Sequence, residues 1–242
     1  MEQGEQLGSG VKLKGIKMIN NKKVAAMIPI KLNSERVRDK NIRPFFDGIP
    51  LVRFIAETAA KSRYIDEVYI YCSDDKIRKY IPETVRFLKR PAFLDGNECN
   101  CNDIIREFMK EVDADIYSVN HATAPFTLSG SIDRCIEAVA GGEYDCAFLV
   151  KKMQTFLWGE GKALNFDPQH FPRTQDLAPI YTETSGAHVF TREVFQTYGR
   201  RVGIHPCLVE TGEIESLDID TEEEMRIAQA VYRYKKEGQE QD

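Results

Sequence analysis

The sequence predicts a three-layer α/β/α domain on a mostly parallel sheet, and three observations carry that prediction. The runs VAAMIPI (24–30), EVYIYCS (67–73) and DCAFLV (145–150) are almost continuously apolar, as strands covered on both faces are. Segments with apolar residues at helical spacing lie between such runs. This β–α alternation repeats along most of the chain, which is what right-handed crossovers between parallel strands require. Residues 1–22 read as a flexible tail and 23–240 as one domain, interrupted over about 152–183 by an insertion.

Taken in order, the strand 24–30 leads into a polar loop. Pro50 suits the first turn of a helix whose buried stripe is Leu51, Phe54, Ile55, Thr58 and Ala59. The strand 67–73 precedes a short polar helix, DDKIRKYI (74–81), and VRFLKR (85–90) is a strand stopped by Pro91. Asn100 or Asn102 caps a helix presenting Ile104, Ile105, Phe108, Met109 and Val112 on one face. DIYSVNHAT (115–123) is a strand, Ser129 caps the next helix, and Gly141-Gly142 end it. After the strand 145–150, QTFLWGEGKALNF reads as a hairpin, and PRTQDLAPIY has no period. SGAHVF (185–190), a helix around REVFQTYG, and CLVE (207–210) restore the pattern. The last helix opens with a capping box, Thr221 with Glu224, and buries Met225, Ala228, Val231 and Tyr232.

Composition narrows the function classes. A net charge of −5 and a pI near 5.6 argue against general nucleic-acid binding. No apolar run approaches the roughly 20 residues of a membrane helix, and the N-terminal stretch lacks the apolar core of a secretory signal. The six cysteines (72, 99, 101, 135, 146, 207) have no zinc or redox spacing and are expected as reduced structural thiols of a cytoplasmic protein.

Against this acidic background, the loop after the first strand concentrates Lys31, Arg36, Arg38, Lys40 and Arg43 against only Glu35 and Asp39. Such a loop beyond the carboxyl end of a buried strand suits an anionic ligand such as a nucleoside triphosphate, or else is a solvated loop of scattered charges. It contains neither a Walker A sequence nor G-x-G-x-x-G. Near the other end, Asp218-Ile219-Asp220 places two carboxylates at i and i+2. On an extended segment they share a face and suit one hard cation such as Mg²⁺. Two helix-capping acids look similar, but Thr221 already supplies the cap. His121, His170, His188 and His205 have no metal-ligand spacing and read as structural, and no G-x-S-x-G elbow marks a nucleophile. Phe156 and Trp158 read as core or interface residues.

In combination these stretches resemble the cytidylyltransferases that activate acidic sugars, the acylneuraminate branch and, more distantly, the ketodeoxyoctonate branch. IPIKLNSERVRDKNIRPFFDGIPL is similar to the family's opening pattern, with Asn33, Ser34, Lys40, Asn41, Gly48, Pro50 and Leu51 in register. Ser73-Asp74-Asp75, Arg90-Pro91-Ala92-x-Leu94, His121-Ala122-Thr123-Ala124-Pro125, Thr184-Ser185-Gly186-Ala187 and L-D-I-D-T-x-x-E follow in the family's order, over roughly 24–235. The resemblance implies a Rossmann-like nucleotidyltransferase fold. It implies CTP binding by Lys31, Leu32, Asn33, Ser34, Lys40, Ser73 and Arg90, and Mg²⁺ on Asp218 and Asp220. It also implies catalytic roles for Lys31, Lys40 and Asp220, and an acidic acceptor held by His121, Thr123, Arg173, Gln175 and Glu183. The reaction implied is attack of the acceptor hydroxyl on the α-phosphorus with loss of pyrophosphate. The 152–183 insertion is then a dimerisation and acceptor-binding element of a homodimer.

The chain departs from the pattern at Lys31 (Arg in the family), Asn97 (an acid), His121 (Gln) and Ser185 (Asn). Lys31 keeps the charge and loses the bidentate fork. The other three fall on the acceptor or nucleotide side, so the acceptor stays open among sialic acid, another nonulosonic or octulosonic acid, and a phosphonate or phosphorylated small molecule. A non-catalytic nucleotide-binding protein is the reading from another class; Lys40, Asp218 and Asp220 count against it.

Overall fold

The computed structural model describes residues 19–32, 37–96 and 98–239. Asn33, Ser34, Arg36 and Asn97, and all but the last few residues of the N-terminal tail, therefore lie outside the described residues. In chain order the elements are β1 (Val24–Ile30), β2 (Pro44–Phe46), β3 (Ile49–Pro50), α1 (Leu51–Lys61), β4 (Glu67–Cys72), β5 (Arg86–Lys89), α2 (Cys101–Glu111), β6 (Ile116–Val119), α3 (Ser129–Ala140), β7 (Cys146–Met153), β8 (Trp158–Gly159), β9 (Lys162–Ala163), β10 (Ile180–Thr191), α4 (Arg192–Tyr198), β11 (Pro206–Thr211) and α5 (Glu222–Gln239). Seven strands form the central sheet in the order β11-β7-β10-β6-β1-β4-β5. All pairings are parallel except those of β10, which runs antiparallel to both β6 and β7.

The apolar runs become strands because both of their faces are covered. On β1, Ala26, Ile28 and Ile30 pack against Val52, Ile55 and Ala59 of α1, whereas Ala25 and Met27 join Ile105 and Phe108 of α2. Farther along the sheet, α3 covers Ala147, Leu149 and Val189, and α4 adds Val194 and Phe195 to the α2 side. The layers are thus α1 and α3 on one face and α2 and α4 on the other. The last helix, α5, lies outside them and buries Met225 and Ala228 with Val37, Phe45, Phe126 and Ile219.

Several boundaries differ from the sequence expectation for physical reasons. Ser129 is the first residue of α3 rather than its cap. Leu128 occupies the cap position without a side-chain acceptor, and its N–H donates instead to Glu215 Oε1 at 3.0 Å. Pro50 precedes α1 as its N-cap, in extended conformation. The 74–81 helix is a 3-10 turn over Asp75–Tyr80. The strand expected over 115–123 ends at Val119, and 120–128 turns away over the sheet edge. The largest difference is β10: it starts at Ile180, five residues before the expected strand, with a bulge between Glu183 and His188. Its first residues are exposed, so their sequence shows no core-facing period.

The α2 start is as expected. Asn100 accepts from Asn102 N (2.8 Å) and Asp103 N (3.2 Å), and the Asp103 carboxylate takes Asn100 N at 3.1 Å. An Asn100→Ala variant should lose about 1 kcal/mol of stability through the freed helix N–H groups, measured by urea unfolding. A loss within experimental error would assign the helix start to packing by Ile105 and Phe108 instead. The stretch 154–179 holds the β8–β9 hairpin, turning on Glu160 and Gly161, both at positive φ, and a 3-10 turn at Thr174–Asp176. Phe156, Trp158, Phe166 and Phe171 cluster there, edge to face except for the tilted Phe166–Phe171 pair.

Candidate active site

The parallel strands β1, β4, β5 and β6 all end at one edge, so the loops after them converge there. Because β10 runs the other way, its beginning rather than its end reaches the same edge, and it carries Glu183 and Ser185.

Lys40 organises the centre. Its side chain is buried, and Nζ donates to Ile219 O at 2.6 Å and to Asp220 Oδ1 at 3.2 Å, joining segments 180 positions apart. Ile219 is fully buried beneath α5, which leaves its neighbours Asp218 and Asp220 half-buried on the other side of the extended segment. Asp218 Oδ2 accepts from Ser185 Oγ at 2.8 Å, and Asp218 Oδ1 from Ile219 N at 3.0 Å. The loop after β6 is stitched to the same segments: Ile219 N donates to Thr123 O (2.9 Å) and His121 N to Ser185 O (3.2 Å). Gly186 permits this closeness, because a Cβ there would lie 2.6 Å from Thr127 Oγ1 and 2.9 Å from Leu149 Cδ1.

The loop cations divide their work. Arg43 forks onto Glu222 at 2.8 and 2.9 Å and ties the loop to α5, so its charge is already compensated. Arg38 is exposed beside Asp39. Lys31 follows β1 directly; its carbonyl accepts from the buried Asn41 side chain at 2.9 Å, and Asn41 O takes Val52 N at the start of α1. Leu32 packs partly into the α1 side of the core.

A second group lies at the ends of β4 and β5. Ser73 Oγ donates to Asp95 Oδ2 at 2.5 Å, and the guanidinium of Arg90, only 2 % exposed, pairs with Asp95 Oδ1. Arg90 Nε is buried without a partner, a donor whose desolvation a ligand would offset. Asp95 was missed in the sequence, although it directly follows the R-P-x-x-L segment.

Near the start of β10, Glu183 does not stand alone. Its Oε1 takes His188 Nε2 at 2.5 Å and Arg201 Nη2 at 2.8 Å. The His188 hydrogen bond outweighs partial burial and holds the Glu183 carboxyl down at about 2, so it is ionised. Burial holds His188 below its usual value, as a neutral ring. His121 is pushed down to about 3 by burial, with His188 and Arg201 adding to the effect against Asp220 and Glu183. His188 and Arg201 were also missed: His188 read as structural, and Arg201 sits in a loop without a motif. Arg173 and Gln175 are not brought to this group. Arg173 is exposed and forks onto Asp176 at 2.7 and 2.9 Å, and Gln175 O accepts from Gln154 at 3.4 Å.

The depressed Glu183 carboxyl has a testable sign. A group whose folded value lies below its usual 4.5 stabilises the fold above that range, and the contribution is lost as pH falls from 4.5 towards about 2. Glu183 is 44 % exposed at the side chain, so solvent screens the effect. The urea midpoint gap between wild type and Glu183→Gln should narrow on going from pH 6 to pH 3, at low ionic strength. A constant gap would mean that the ion pair does not contribute.

The donor set at 218–220 suits a hard divalent cation. It offers carboxylate oxygens on one face, and Mg²⁺ takes one or two protein carboxylates with waters and phosphate oxygens. Among the described residues, no group of three or more His, Cys, Asp or Glu is placed to hold a metal ion.

The profile of the family described as Cytidylyltransferase matches residues 25–239. The chain is 26% identical, over 225 residues, to the N-acylneuraminate cytidylyltransferase of Oncorhynchus mykiss; the match covers 87% of this chain and 51% of that protein, so the chain spans about half its length. Among solved structures, the CMP:2-keto-3-deoxy-manno-octonic acid synthetase complexed with CTP superposes with a TM-score of 0.66 at 18% identity, covering 88% of this chain and 99% of that one. The 4-diphosphocytidyl-2C-methyl-D-erythritol synthase of Anaerococcus prevotii does so at 0.61 and 14%, covering 89% and 98%. These two likenesses show the fold.

Proposed function

Because the chain belongs to the cytidylyltransferase family, we propose that it transfers CMP from CTP to the hydroxyl of an acidic acceptor, a sialic-acid-like nonulosonic acid or a related 2-keto-3-deoxy sugar acid, and releases pyrophosphate. The observation that carries this reading is the Lys40 bridge, which sets the cationic loop against the two carboxylates at the strand-end edge.

In this reading the triphosphate lies between the loop and the 218–220 segment. Lys31 and Lys40 offset its charge, and Leu32, Asn33 and Ser34 complete the proposed nucleotide-binding set. Ser73 and the buried Arg90 line the nucleoside side, with Asp95 holding both in place. Asp218 and Asp220 hold Mg²⁺, which when bound supplies positive charge next to the phosphate oxygens. Lys40 lies within reach of charge that develops at the α-phosphoryl group and offsets it. His121 and Thr123 face the acceptor, and Arg173 and Gln175, held apart from this group within the chain, are left out of this reading.

The protein is proposed to act as a homodimer. Trp158, Leu164 and Phe171 of that stretch are more than half exposed, an apolar surface that a second copy would cover. No helix among the described residues is long and apolar enough to cross a membrane. With Cys72, Cys135 and Cys146 present as buried thiols, a cytoplasmic setting is proposed.

The test is pyrophosphate release from CTP and from UTP across a panel of 2-keto-3-deoxy acids, phosphonates and phosphorylated polyols. Turnover with CTP and a sugar acid is expected. Turnover confined to phosphonates or phosphorylated acceptors would replace the acceptor, and CTP binding without turnover anywhere would overturn the enzyme reading.

A further inference from the structure

His188 is 3 % exposed, stacked on Phe148 at 5.6 Å between ring centres, with its Nε2 on Glu183. Its other ring nitrogen, Nδ1, is buried without a partner. Since Glu183 is ionised and accepts, the proton of this neutral ring sits on Nε2, and Nδ1 is a bare acceptor. A buried acceptor left unsatisfied costs free energy, and such atoms in a native site call for an explanation.

The surroundings supply one. His188 pairs in register with Val119, two residues before His121, and the two rings are close enough to influence each other's charge. The His121 ring is half-buried and has no hydrogen-bond partner among the described residues, although its backbone N–H is fixed on Ser185 O. Behind them Arg201 is held on three sides: Nη2 on Glu183, Nη1 on Cys101 Sγ at 3.4 Å, and its backbone N–H on Asn102 Oδ1 at 3.3 Å. The charges nearest His121 therefore cancel in pairs, Arg201 with Glu183 and Lys40 with Asp220. A wall whose nearby charges are engaged in ion pairs, with unused imidazole nitrogens, suits a hydroxyl group and offers less to a carboxylate.

We propose that His121 and His188 form a paired-imidazole subsite that reads a hydroxyl of the acceptor, His121 as the contact and His188 as its positioning partner, with Glu183 and Arg201 as the clamp that fixes His188. The inference rests on the acceptor assignment above and deepens it: the carboxylate of the acceptor lies elsewhere, and the group discriminated here is a neutral hydroxyl donor. Glu183 acts on the acceptor through His188 and does not touch it.

The experiment uses the full chain with CTP and a 2-keto-3-deoxy sugar acid that wild type turns over, beside its monodeoxy analogues. His188→Phe keeps the stack on Phe148 and removes both nitrogens. It should raise KM for the acceptor about tenfold, the scale of one lost hydrogen bond, with KM for CTP unchanged. It should also treat the parent acid and one deoxy analogue alike, where wild type prefers the parent. Glu183→Leu should show the same loss, and Glu183→Gln, whose amide oxygen still accepts from Nε2, should recover most of it. A purely structural role would shift both substrates together and give no selective loss against one analogue. His188→Phe with wild-type discrimination would overturn the proposal while leaving the acceptor class standing. If that variant does not fold, Glu183→Leu decides in the same way. A wild-type enzyme that turns over no sugar acid with CTP would overturn the acceptor assignment and this inference together.

Discussion

Asp220→Asn is expected to lower turnover with CTP about a thousandfold, a loss on the scale of removing a group that stabilises transition-state charge, while the protein keeps its fold. The substitution is isosteric, and Asn Oδ1 still accepts from Lys40 Nζ, which in the wild type lies 3.2 Å from the Asp220 oxygen. What disappears is the negative charge at the face where, in the proposed reading, a divalent cation and the triphosphate would meet. Asp218→Asn should also lower turnover, because it removes the other negative charge of that face; both Asp218 oxygens accept hydrogen bonds, from Ser185 Oγ and from Ile219 N. The measurement is pyrophosphate release against Mg²⁺ concentration, with a thermal melt to confirm folding. An Asp220→Asn enzyme within tenfold of wild type at every Mg²⁺ concentration would remove Asp220 from the metal assignment.

How far the sequence reached follows from where its signals are local. The apolar runs of β1, β4 and β7 declare themselves because both faces are buried, and the caps at Asn100 and Thr221 because capping is a contact of three or four residues. The start of β10 was illegible for the opposite reason. Tyr181–Glu183 are exposed at the edge of the insertion, and the strand character of Ile180–Glu183 comes from pairing with Val150–Met153 of β7, which no local pattern records. Ser129 has a side chain suited to capping, but Leu128 takes the cap position, and its N–H is held by Glu215, 87 positions away.

The same division runs through the site. The cationic loop and Asp-Ile-Asp are short motifs, so the phosphate and the hard cation proposed there are expectations that residue types alone raise. Asp95, His188 and Arg201 act through contacts made only in the folded chain: Asp95 reaches back 22 positions to Ser73, and Arg201 reaches back 18 to Glu183 and 100 to Cys101. Arg43 shows the reverse case. It counted as a phosphate-seeking cation in the sequence, and the structure commits it to Glu222.

Lys40→Met is expected to lower turnover at least a hundredfold and to cost about 1–3 kcal/mol of stability. The stability loss has two sources. Ile219 O, which takes Lys40 Nζ at 2.6 Å, loses its buried donor, and Asp220 loses one paired cation. The second is moderated because the Asp220 side chain is 38% exposed and water can solvate it. Methionine fills most of the stem volume, so the cost reflects the missing ammonium and not a cavity. The turnover loss has a separate cause, the removal of a fixed cation from the proposed phosphate face, and urea unfolding and pyrophosphate release measure the two independently. The pair is tested by Lys40→Met with Asp220→Asn. If the bridge sets the loop against the metal-binding face, the residues act as one unit, and the double variant loses far less activity than the product of the single losses. Full multiplication of the two losses would mean that Lys40 and Asp220 act separately, and the bridge would then be a strut of the fold with no share in the chemistry.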